Sequence, residues 1–318
     1  MYGLKNILFF GDFGVDDMVA MLYAYYHKEL NIVGIVADYG NVSKEDAVRN
    51  AMFFKNLTGI TDIPIISGAD LPLTGKSPTF YPEIHGIAGL GPIVPEVQFG
   101  DVFENFFEVV NIINRYENDI TIVNTGRLSS LSTMMILYPD LLRKVDDIYI
   151  MGGAFFVPGN VTPIAEANIY GDPYGANLVL NGHLFPVHIH PLDVTNHAIL
   201  TPQMVNDLHS YFLRVNDPVG VYIKVFVDYY YQFYKKRDPS IQGSPLHDLL
   251  TLWAVMENSE IHYEDVPVKV VVHEGEAFGQ TIGDFRKTDK KANYPIHKLA
   301  TSFNYQTFIY QIFQTFMS

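Results

Sequence analysis

The chain of 318 residues contains no cysteine and a single tryptophan, Trp253. The absence of cysteine excludes disulfide bonds, thiolate nucleophiles and zinc sites with cysteine ligands. No apolar stretch approaches the roughly 20 residues that a membrane-spanning helix needs, and no signal-peptide cleavage pattern follows Met1–Phe10. We therefore expect a cytoplasmic protein that does not associate with membranes.

Basic residues are also scarce, with 21 Lys and Arg against 35 Asp and Glu and a net charge of −14. A nucleic-acid-binding surface needs a basic face, so this balance argues against a nucleic-acid partner. It remains compatible with a cation or with a small molecule that carries no phosphate. Hydrophobic residues make up 48% of the chain, enough for a sizeable core. The length favours one large α/β domain over residues 1–318.

Short apolar runs alternate with helical segments through much of the chain, and this pattern predicts an α/β fold. A mostly parallel, Rossmann-like sheet with helices on both faces is expected. The predicted strands are Asn6–Phe10, Asn31–Ala37, Ile63–Ile66, Asp119–Val123, Asp147–Ile150 and Pro186–Ile189. Val266–His273 and Gln280–Phe285 predict a small antiparallel addition near the C-terminus. A long irregular segment, from about Gly68 to Gly100, is typical of a functional or mobile loop.

Three carboxylates, those of Asp12, Asp16 and Asp17, follow the first predicted strand. Ligands bind beyond the carboxyl ends of strands in such sheets. Carboxylates this close repel each other unless a cation or protons neutralise them, and hard oxygen ligands suit Ca²⁺ or Mg²⁺. Taken alone, an Asp-Asp pair more often stabilises a helix N-terminus. The choice between a metal site and a helix N-terminus therefore depends on the other motifs of the chain.

Two further segments bring polar side chains together. In the first, His247 precedes Asp248 at a predicted helix start, which offers a proton donor beside a metal ligand. In isolation such a pair is more often a helix cap. In the second, Asn160, Glu166 and Asn168 follow a glycine-bearing turn. They could bind the hydroxyls of a sugar or satisfy the backbone of their own loop.

With these segments in hand, the sequence resembles the inosine–uridine-preferring nucleoside hydrolase family along nearly its whole length. The common order and spacing of the matching motifs argue against chance agreement. They are Asp12-Phe13-Gly14-Val15-Asp16-Asp17, Gly40-Asn41, His85-Gly86 with Gly89-Leu90, Thr125-Gly126, Met151-Gly152-Gly153, Ala165-Glu166-Ala167-Asn168-Ile169 with Asp172-Pro173, and Pro245-Leu246-His247-Asp248. Two positions depart from the family pattern, which usually has Asp at Phe10 and Pro at Phe13.

The resemblance implies Ca²⁺-dependent hydrolysis of the N-glycosidic bond of ribonucleosides to ribose and free base. It implies that the metal is held by Asp12, Asp17, Asp248 and the carbonyl of Thr125. Asp12 would also take the proton of the attacking water, and His247 would protonate the departing base. The residues expected at the substrate are Asp16 and Asn168 at the ribose 2′- and 3′-hydroxyls, Asn160 and Glu166 at the 5′-hydroxyl, and Asn41, His85 and Met151. We expect a homodimer or homotetramer.

The sequence gives weaker indications of which nucleobase the substrate carries. His247 stands where relatives that accept inosine and uridine have their histidine, and one tryptophan cannot form the two-tryptophan base stack of purine-specific relatives. A pyrimidine or inosine-type preference is therefore expected. The aromatic cluster Tyr229, Tyr230, Tyr231, Phe233 and Tyr234 could wall the base site. For most of these five residues, however, the helical spacing favours core packing.

Two other functions fit parts of the sequence. A non-catalytic sensor of nucleosides or ribose on the same fold is suggested by Phe10 and Phe13. A metal-dependent phosphatase with an aspartate nucleophile needs a second Asp two residues after the first, and Gly14 stands there instead.

Overall fold

A computed structural model describes residues 4–96, 105–182, 185–288 and 290–318 of the chain. Its strands are β1 (Lys5–Gly11), β2 (Leu30–Ala37), β3 (Ile65–Ser67), β4 (Thr121–Asn124), β5 (Asp147–Met151), β6 (His188–His190), β7 (Ile199–Leu200), β8 (Ser244–Pro245), β9 (Ile261–Val270), β10 (Thr281–Gly283) and β11 (Ile296–Phe303).

Most of the α-helices lie between these strands along the chain, and the last one follows the final strand. They are α1 (Val15–Tyr26), α2 (Lys44–Thr58), α3 (Pro82–His85), α4 (Glu108–Arg115), α5 (Ser129–Leu137), α6 (Ala167–Gly171), α7 (Pro173–Gly182), α8 (Leu192–Thr195), α9 (Pro202–Val215), α10 (Val221–Arg237), α11 (His247–Met256) and α12 (Tyr305–Phe316). None of the helices in the described part of the chain combines the length and the hydropathy needed to cross a bilayer.

The central sheet of the described chain has nine strands in the order β10-β9-β11-β6-β5-β4-β1-β2-β3. Neighbours from β11 through β6, β5, β4, β1 and β2 to β3 are parallel. Strand β9 is antiparallel to both β11 and β10. The predicted α/β class, with a mostly parallel sheet and a small antiparallel C-terminal part, is confirmed.

Apolar side chains of β1 point alternately to the two faces of the sheet, as the two-residue repeat of a strand requires. Ile7 and Phe9 belong to a core formed with α1, α2 and α9 to α12. Leu8 and Phe10 belong to a second core formed with α4, α5 and α7. Phe10, where the resemblance leads us to expect an aspartate, is thus fully buried among apolar side chains, and both faces of the sheet are covered as predicted.

The two ends of α2 are defined by local capping groups. The Ser43 side chain caps its N-terminus by accepting the Asp46 N–H at 3.1 Å, and Gly59 ends it with a φ of 72°. The predicted pairing of Val266–His273 with Gln280–Phe285 is confirmed by the β9–β10 ladder. Strand β11 was not predicted. The predicted irregular segment contains the short helix α3, and its positions 97–100 lie outside the described residues.

Candidate active site

A cavity of about 330 Å³ opens beyond the carboxyl ends of β1, β2, β4 and β5, a size typical of small-molecule sites. The loops that follow these strands and the start of α11 supply most of its polar groups. The predicted residues that line it are Asp16, Asn41, His85, Thr125, Met151, Asn160, Glu166, Asn168, His247 and Asp248. The other two predicted residues, Asp12 and Asp17, are buried beside this lining. The fold therefore brings all the predicted positions to one place.

Four aspartates form an acidic cluster at the cavity floor: Asp12, Asp16, Asp17 and Asp248. Each of them is at most 5% exposed. Carboxylate oxygens of Asp16, Asp17 and Asp248 lie within 4.8 Å of one another. The charge of the neighbouring Asp12 carboxylate adds to the rise in the pKa of Asp17 that burial causes. Such a group, from β1, α1 and α11, is a candidate site for a metal ion.

Hydrogen bonds from the surrounding backbone and side chains hold this cluster. Asp12 Oδ2 accepts the Asn41 N–H at 2.6 Å, and its Oδ1 accepts the Asn41 amide at 3.1 Å. Asp17 Oδ1 accepts the Thr125 hydroxyl at 2.6 Å. A Cβ at Gly40 would lie 1.9 Å from Asp12 Oδ2. The Gly40-Asn41 pair is therefore needed because only glycine lets the loop after β2 approach the carboxylate so closely.

The electrostatics of the acidic cluster fit a divalent cation. Burial, followed by the neighbouring carboxylates, raises the pKa of Asp17 and of Asp248 well above the usual range. Asp16 Oδ1 is buried, and no group in the described part of the chain forms a hydrogen bond with it. The nearest nitrogen of His85, Nδ1, is 4.0 Å from that oxygen and accepts the Val15 N–H. An oxygen-only set of this kind is suited to Ca²⁺ or Mg²⁺.

The predicted metal ligands differ somewhat in their surroundings. Asp17 and Asp248 lie together with Asp16, whereas Asp12 is held by Asn41. The Thr125 carbonyl accepts the Asn168 amide at 2.7 Å. The same Asn168 nitrogen lies 3.1 Å from the Met151 carbonyl, so this amide bridges the ends of β4 and β5.

On the side predicted for the 5′-hydroxyl, Glu166 is almost fully buried. Its carboxylate accepts the N–H groups of Gly153, Asn168 and Ile169 at 2.8–3.1 Å. Burial raises the pKa of Glu166, and these three donors act in the opposite direction. Asn160 Oδ1 accepts the Ala167 N–H at 2.9 Å. Both side chains are therefore fixed by backbone groups before any substrate binds.

The part of the cavity beside α10 and α11 has a different character. A chain of hydrogen bonds runs from Asp16 Oδ2 to the Tyr230 hydroxyl (3.2 Å), the Tyr234 hydroxyl (3.4 Å) and His247 Nε2 (2.9 Å). His247 Nδ1 lies 2.8 Å from the Thr195 hydroxyl. Burial lowers the pKa of His247 to about 4, so its ring is neutral at neutral pH.

Helix α10 provides an aromatic wall of the cavity. More of its aromatic residues line the cavity than the helical spacing led us to expect. Tyr230, Phe233 and Tyr234 line the cavity, although Tyr230 and Tyr234 also pack against the core as expected. Their spacing places them on one helical face, which is turned to the acidic cluster. Tyr229 instead packs against Gly91, and the Tyr231 hydroxyl donates to the Ile241 carbonyl.

Several other residues of the site were not predicted. Thr195 contacts His247 from a position 52 residues away and belongs to no motif that was recognised. Arg237 shares the helical face of Tyr230 and Tyr234, so its spacing was a usable signal. The remaining lining residues are Tyr81, Glu83, Ile84, Val161 and Ala167.

A parallel sheet with buried carboxylates beneath a small-molecule cavity at its strand ends defines a metal-assisted α/β enzyme. The family model described as inosine-uridine preferring nucleoside hydrolase matches residues 7–310. The chain belongs to this family of metal-dependent hydrolytic enzymes.

Individual relatives cover most of the chain. It is 31% identical over 277 residues to uridine nucleosidase 1 of Arabidopsis thaliana, covering 86% of this chain and 80% of that protein. A plant nucleoside hydrolase, the PpNRh1 enzyme, superposes with a TM-score of 0.89 at 27% identity, covering 99% of both chains. A purine-preferring ribonucleoside hydrolase from Gardnerella vaginalis gives a TM-score of 0.87 at 26% identity, covering 98% of both. Family members of different base preference thus share this fold.

Proposed function

We propose that this chain hydrolyses the N-glycosidic bond of ribonucleosides to ribose and free base with the help of Ca²⁺. The proposal rests chiefly on the buried acidic cluster. The polar side chains that line the same cavity are suited to binding the hydroxyls of a ribose. We further propose that residues 1–318 act as one domain. A homodimer or homotetramer stays a prediction.

The proposed calcium ligands are Asp12, Asp17, Asp248 and the Thr125 carbonyl. When bound, the ion would orient the ribose diol and lower the pKa of water. Calcium accepts six to eight oxygen ligands in flexible geometry, which suits a site whose remaining oxygens come from the substrate hydroxyls. The raised pKa values of Asp17 and Asp248 support this role, because a cation would relieve the cost of burying their charges.

The ribose is the part of the substrate on which positive charge develops. As the bond from C1′ to the base breaks, water supplies the new oxygen, and Asp12 accepts the proton that this water loses. The two hydrogen bonds from Asn41 hold the Asp12 carboxylate in place for this task. Carboxylates around the sugar stabilise an oxocarbenium-like transition state, while Asp16 and Asn168 orient the 2′- and 3′-hydroxyls.

The base departs with the bonding electrons and needs a proton. His247 and Tyr234 are joined at 2.9 Å, so one can present a proton while the other replaces it. When the neutral His247 ring gives its proton to the base, the Tyr234 hydroxyl can pass its own proton to the ring and regain one from water; an imidazole with a low pKa needs such a partner to act as a donor. The hydrogen bond to Thr195 orients the ring. We propose His247 as the donor, with Tyr234 as its partner.

For the base we propose a pyrimidine or inosine-type preference. Trp253 cannot stack on a base, because it is fully buried and packs against Phe308 with ring centroids 5.2 Å apart. The walls are instead Tyr230, Phe233 and Tyr234. The relative from Arabidopsis thaliana is named a uridine nucleosidase, which agrees with this preference.

The deciding experiment measures ribose released from uridine, cytidine, inosine and adenosine in the presence of Ca²⁺. We expect turnover, with uridine or inosine preferred. A folded chain that binds these nucleosides by calorimetry but releases no ribose from any of them would instead support the non-catalytic sensor suggested by Phe10 and Phe13.

A further inference from the structure

A buried arginine, Arg127, lies just behind the substrate cavity. Resting on the nucleoside hydrolysis proposed above, we propose that Arg127 is a positioning residue for the 5′ side of the substrate. It holds Glu166 and the neighbouring cavity segments in place and supplies positive charge beside them. Arg127 follows the Thr125-Gly126 turn at the end of β4 and is only 3% exposed.

Three contacts join Arg127 to separate parts of the chain. Its Nη2 donates to the Thr79 carbonyl at 2.7 Å. The guanidinium carbon lies 4.8 Å from the centroid of the Tyr39 ring, within the range of a cation–π interaction. The backbone of Gly171 approaches so closely that a Cβ there would lie 2.2 Å from Nε. A planar guanidinium can make an in-plane hydrogen bond and a face contact at once, which an ammonium cannot.

Each contacted segment carries residues of the cavity. Thr79 precedes Tyr81, whose N–H donates to the Asn41 carbonyl at 2.9 Å and whose side chain lines the cavity. Tyr39 precedes the Gly40-Asn41 pair, and Gly171 ends helix α6, which begins directly after Glu166. Movement of Arg127 would therefore disturb the 5′ side of the cavity from three directions.

The Tyr39 ring beneath the guanidinium is itself tied down. Its hydroxyl lies 2.8 Å from the Ser129 hydroxyl, which donates to Asp172 Oδ2 at 2.6 Å. Asp172 also accepts the Leu73 N–H at 2.9 Å. Arg127 therefore rests on a rigid support that reaches from the loop after β2 to the segment after β3, as expected of a residue that fixes loop geometry.

The charge of Arg127 matters because the cavity is otherwise acidic. In the described part of the chain, the only Lys or Arg that lines the cavity is Arg237, whose side chain is exposed. Burial raises the pKa of Glu166; the three backbone donors oppose that rise most, and the positive charge of Arg127 adds a smaller effect in the same direction as the donors. The ionised carboxylate is the stronger acceptor for its three backbone donors and for a substrate hydroxyl. Arg127 thus favours the form of Glu166 that binds the 5′-hydroxyl.

The test compares uridine with 5′-deoxyuridine, which lacks only the 5′-hydroxyl. Arg127→Met removes the charge and the hydrogen bond while keeping similar length. We expect it to raise KM for uridine about ten-fold, with kcat changed less than about three-fold, the size of one weakened charge-assisted hydrogen bond. The kcat/KM for 5′-deoxyuridine, already lower in the unaltered chain, should change less than about three-fold.

Two further variants complete the design. Arg127→Lys keeps the charge but loses the planar contacts, and its KM for uridine should lie between those of the unaltered chain and Arg127→Met. Arg115→Met, on the exposed side of α4, is the matched control and should change neither substrate.

Several results would overturn the proposal. Equal losses on both substrates would show that Arg127 only supports the fold, and so would failure of both Arg127 variants to fold by circular dichroism. An unaltered chain that hydrolyses uridine and 5′-deoxyuridine equally well would show that Glu166 does not act on the 5′-hydroxyl, and the role of Arg127 would fall while the hydrolysis stands. No ribose released by the unaltered chain would instead refute the proposed function itself.

Discussion

The two ends of the cavity are built in different ways. The acidic end draws Asp12, Asp16 and Asp17 from the turn after β1 and the first turn of α1, and Asp248 from the start of α11. The base end draws Tyr230 and Tyr234 from α10, and His247 from the start of α11. Carboxylates and backbone donors dominate the first, whereas aromatic rings and hydroxyls dominate the second.

This difference separates two chemical tasks. The acidic end lies mainly at the end of β1 and is proposed to face the ribose, which every ribonucleoside substrate shares. The base end rests on helices, whose side chains can change while the strand ends stay as they are. This agrees with a family in which uridine-acting and purine-preferring members share one fold. Changes at the acidic end should therefore affect all substrates, and changes at the base end only those whose base needs a proton.

The largest effect is expected at the acidic end. Asp12→Ala removes the group proposed to accept the proton of the attacking water, and should lower kcat for uridine by about 10³-fold, within the range for loss of a general base. The loss should be similar for p-nitrophenyl β-riboside, whose leaving group needs no protonation. Ribose release and nitrophenolate absorbance measure the two rates. Asp140→Ala, at a side chain 93% exposed, is the control. Retention of more than about a tenth of the activity would contradict the role of Asp12.

At the base end the expected loss depends on the leaving group. His247→Ala should lower kcat for uridine by about 10²-fold, because the base then departs without its proton donor. On p-nitrophenyl β-riboside the same variant should lose less than about five-fold. Equal losses on both substrates would abolish the contrast between the two ends and remove His247 from the role of proton donor.

A smaller effect of the same kind is expected from Thr195. Thr195→Val keeps the shape of the side chain but removes the hydroxyl that lies 2.8 Å from His247 Nδ1. We expect about a five-fold lower kcat for uridine, the cost of a less well-oriented ring, with no change on p-nitrophenyl β-riboside. A loss on the activated substrate would mean that Thr195 supports the fold instead of orienting His247.

The smallest effect concerns stability. The pKa values of Asp17 and Asp248 are raised in the folded chain, so the ion-free protein loses stability as pH rises through those values. The proposed calcium ion would bind the ionised form. Its addition should raise Tm by a few degrees near pH 7.5 and by less near pH 5, as scanning calorimetry can measure. Mg²⁺ and EGTA provide the controls, and a Tm that does not respond to Ca²⁺ at either pH would contradict the metal site.

The sequence predicted the site residues that lie close together along the chain, but not the contacts between distant residues. Asp12, Asp16 and Asp17 lie within six residues of one another, and a run of carboxylates after a buried strand has few physical explanations. The contact between Thr195 and His247 joins residues 52 positions apart, and only the tertiary structure brings them together. Arg127 was equally hidden, because its partners Tyr39, Thr79 and Gly171 are scattered along the chain.

The fold shows a similar limit. The buried strands of the parallel region consist largely of apolar residues, which is why they were predicted. Strand β11 contains His297, Lys298, Thr301 and Ser302 among its apolar residues. It lacks the continuous apolar run that marks a strand covered on both faces, so it was missed.

The position of β11 also bears on how the protein is made. Ile296–Phe303 is the last strand along the chain, yet it lies between β6 and β9 in the sheet. On the ribosome, the edge of β6 that pairs with β11 therefore has no partner until more than a hundred further residues have been translated. Until then, the β9–β10 hairpin also lacks the strand that joins it to the sheet. An unpaired edge is a site for wrong association. Completion of the sheet is thus a late event in synthesis, and the nascent chain is most exposed to aggregation just before it.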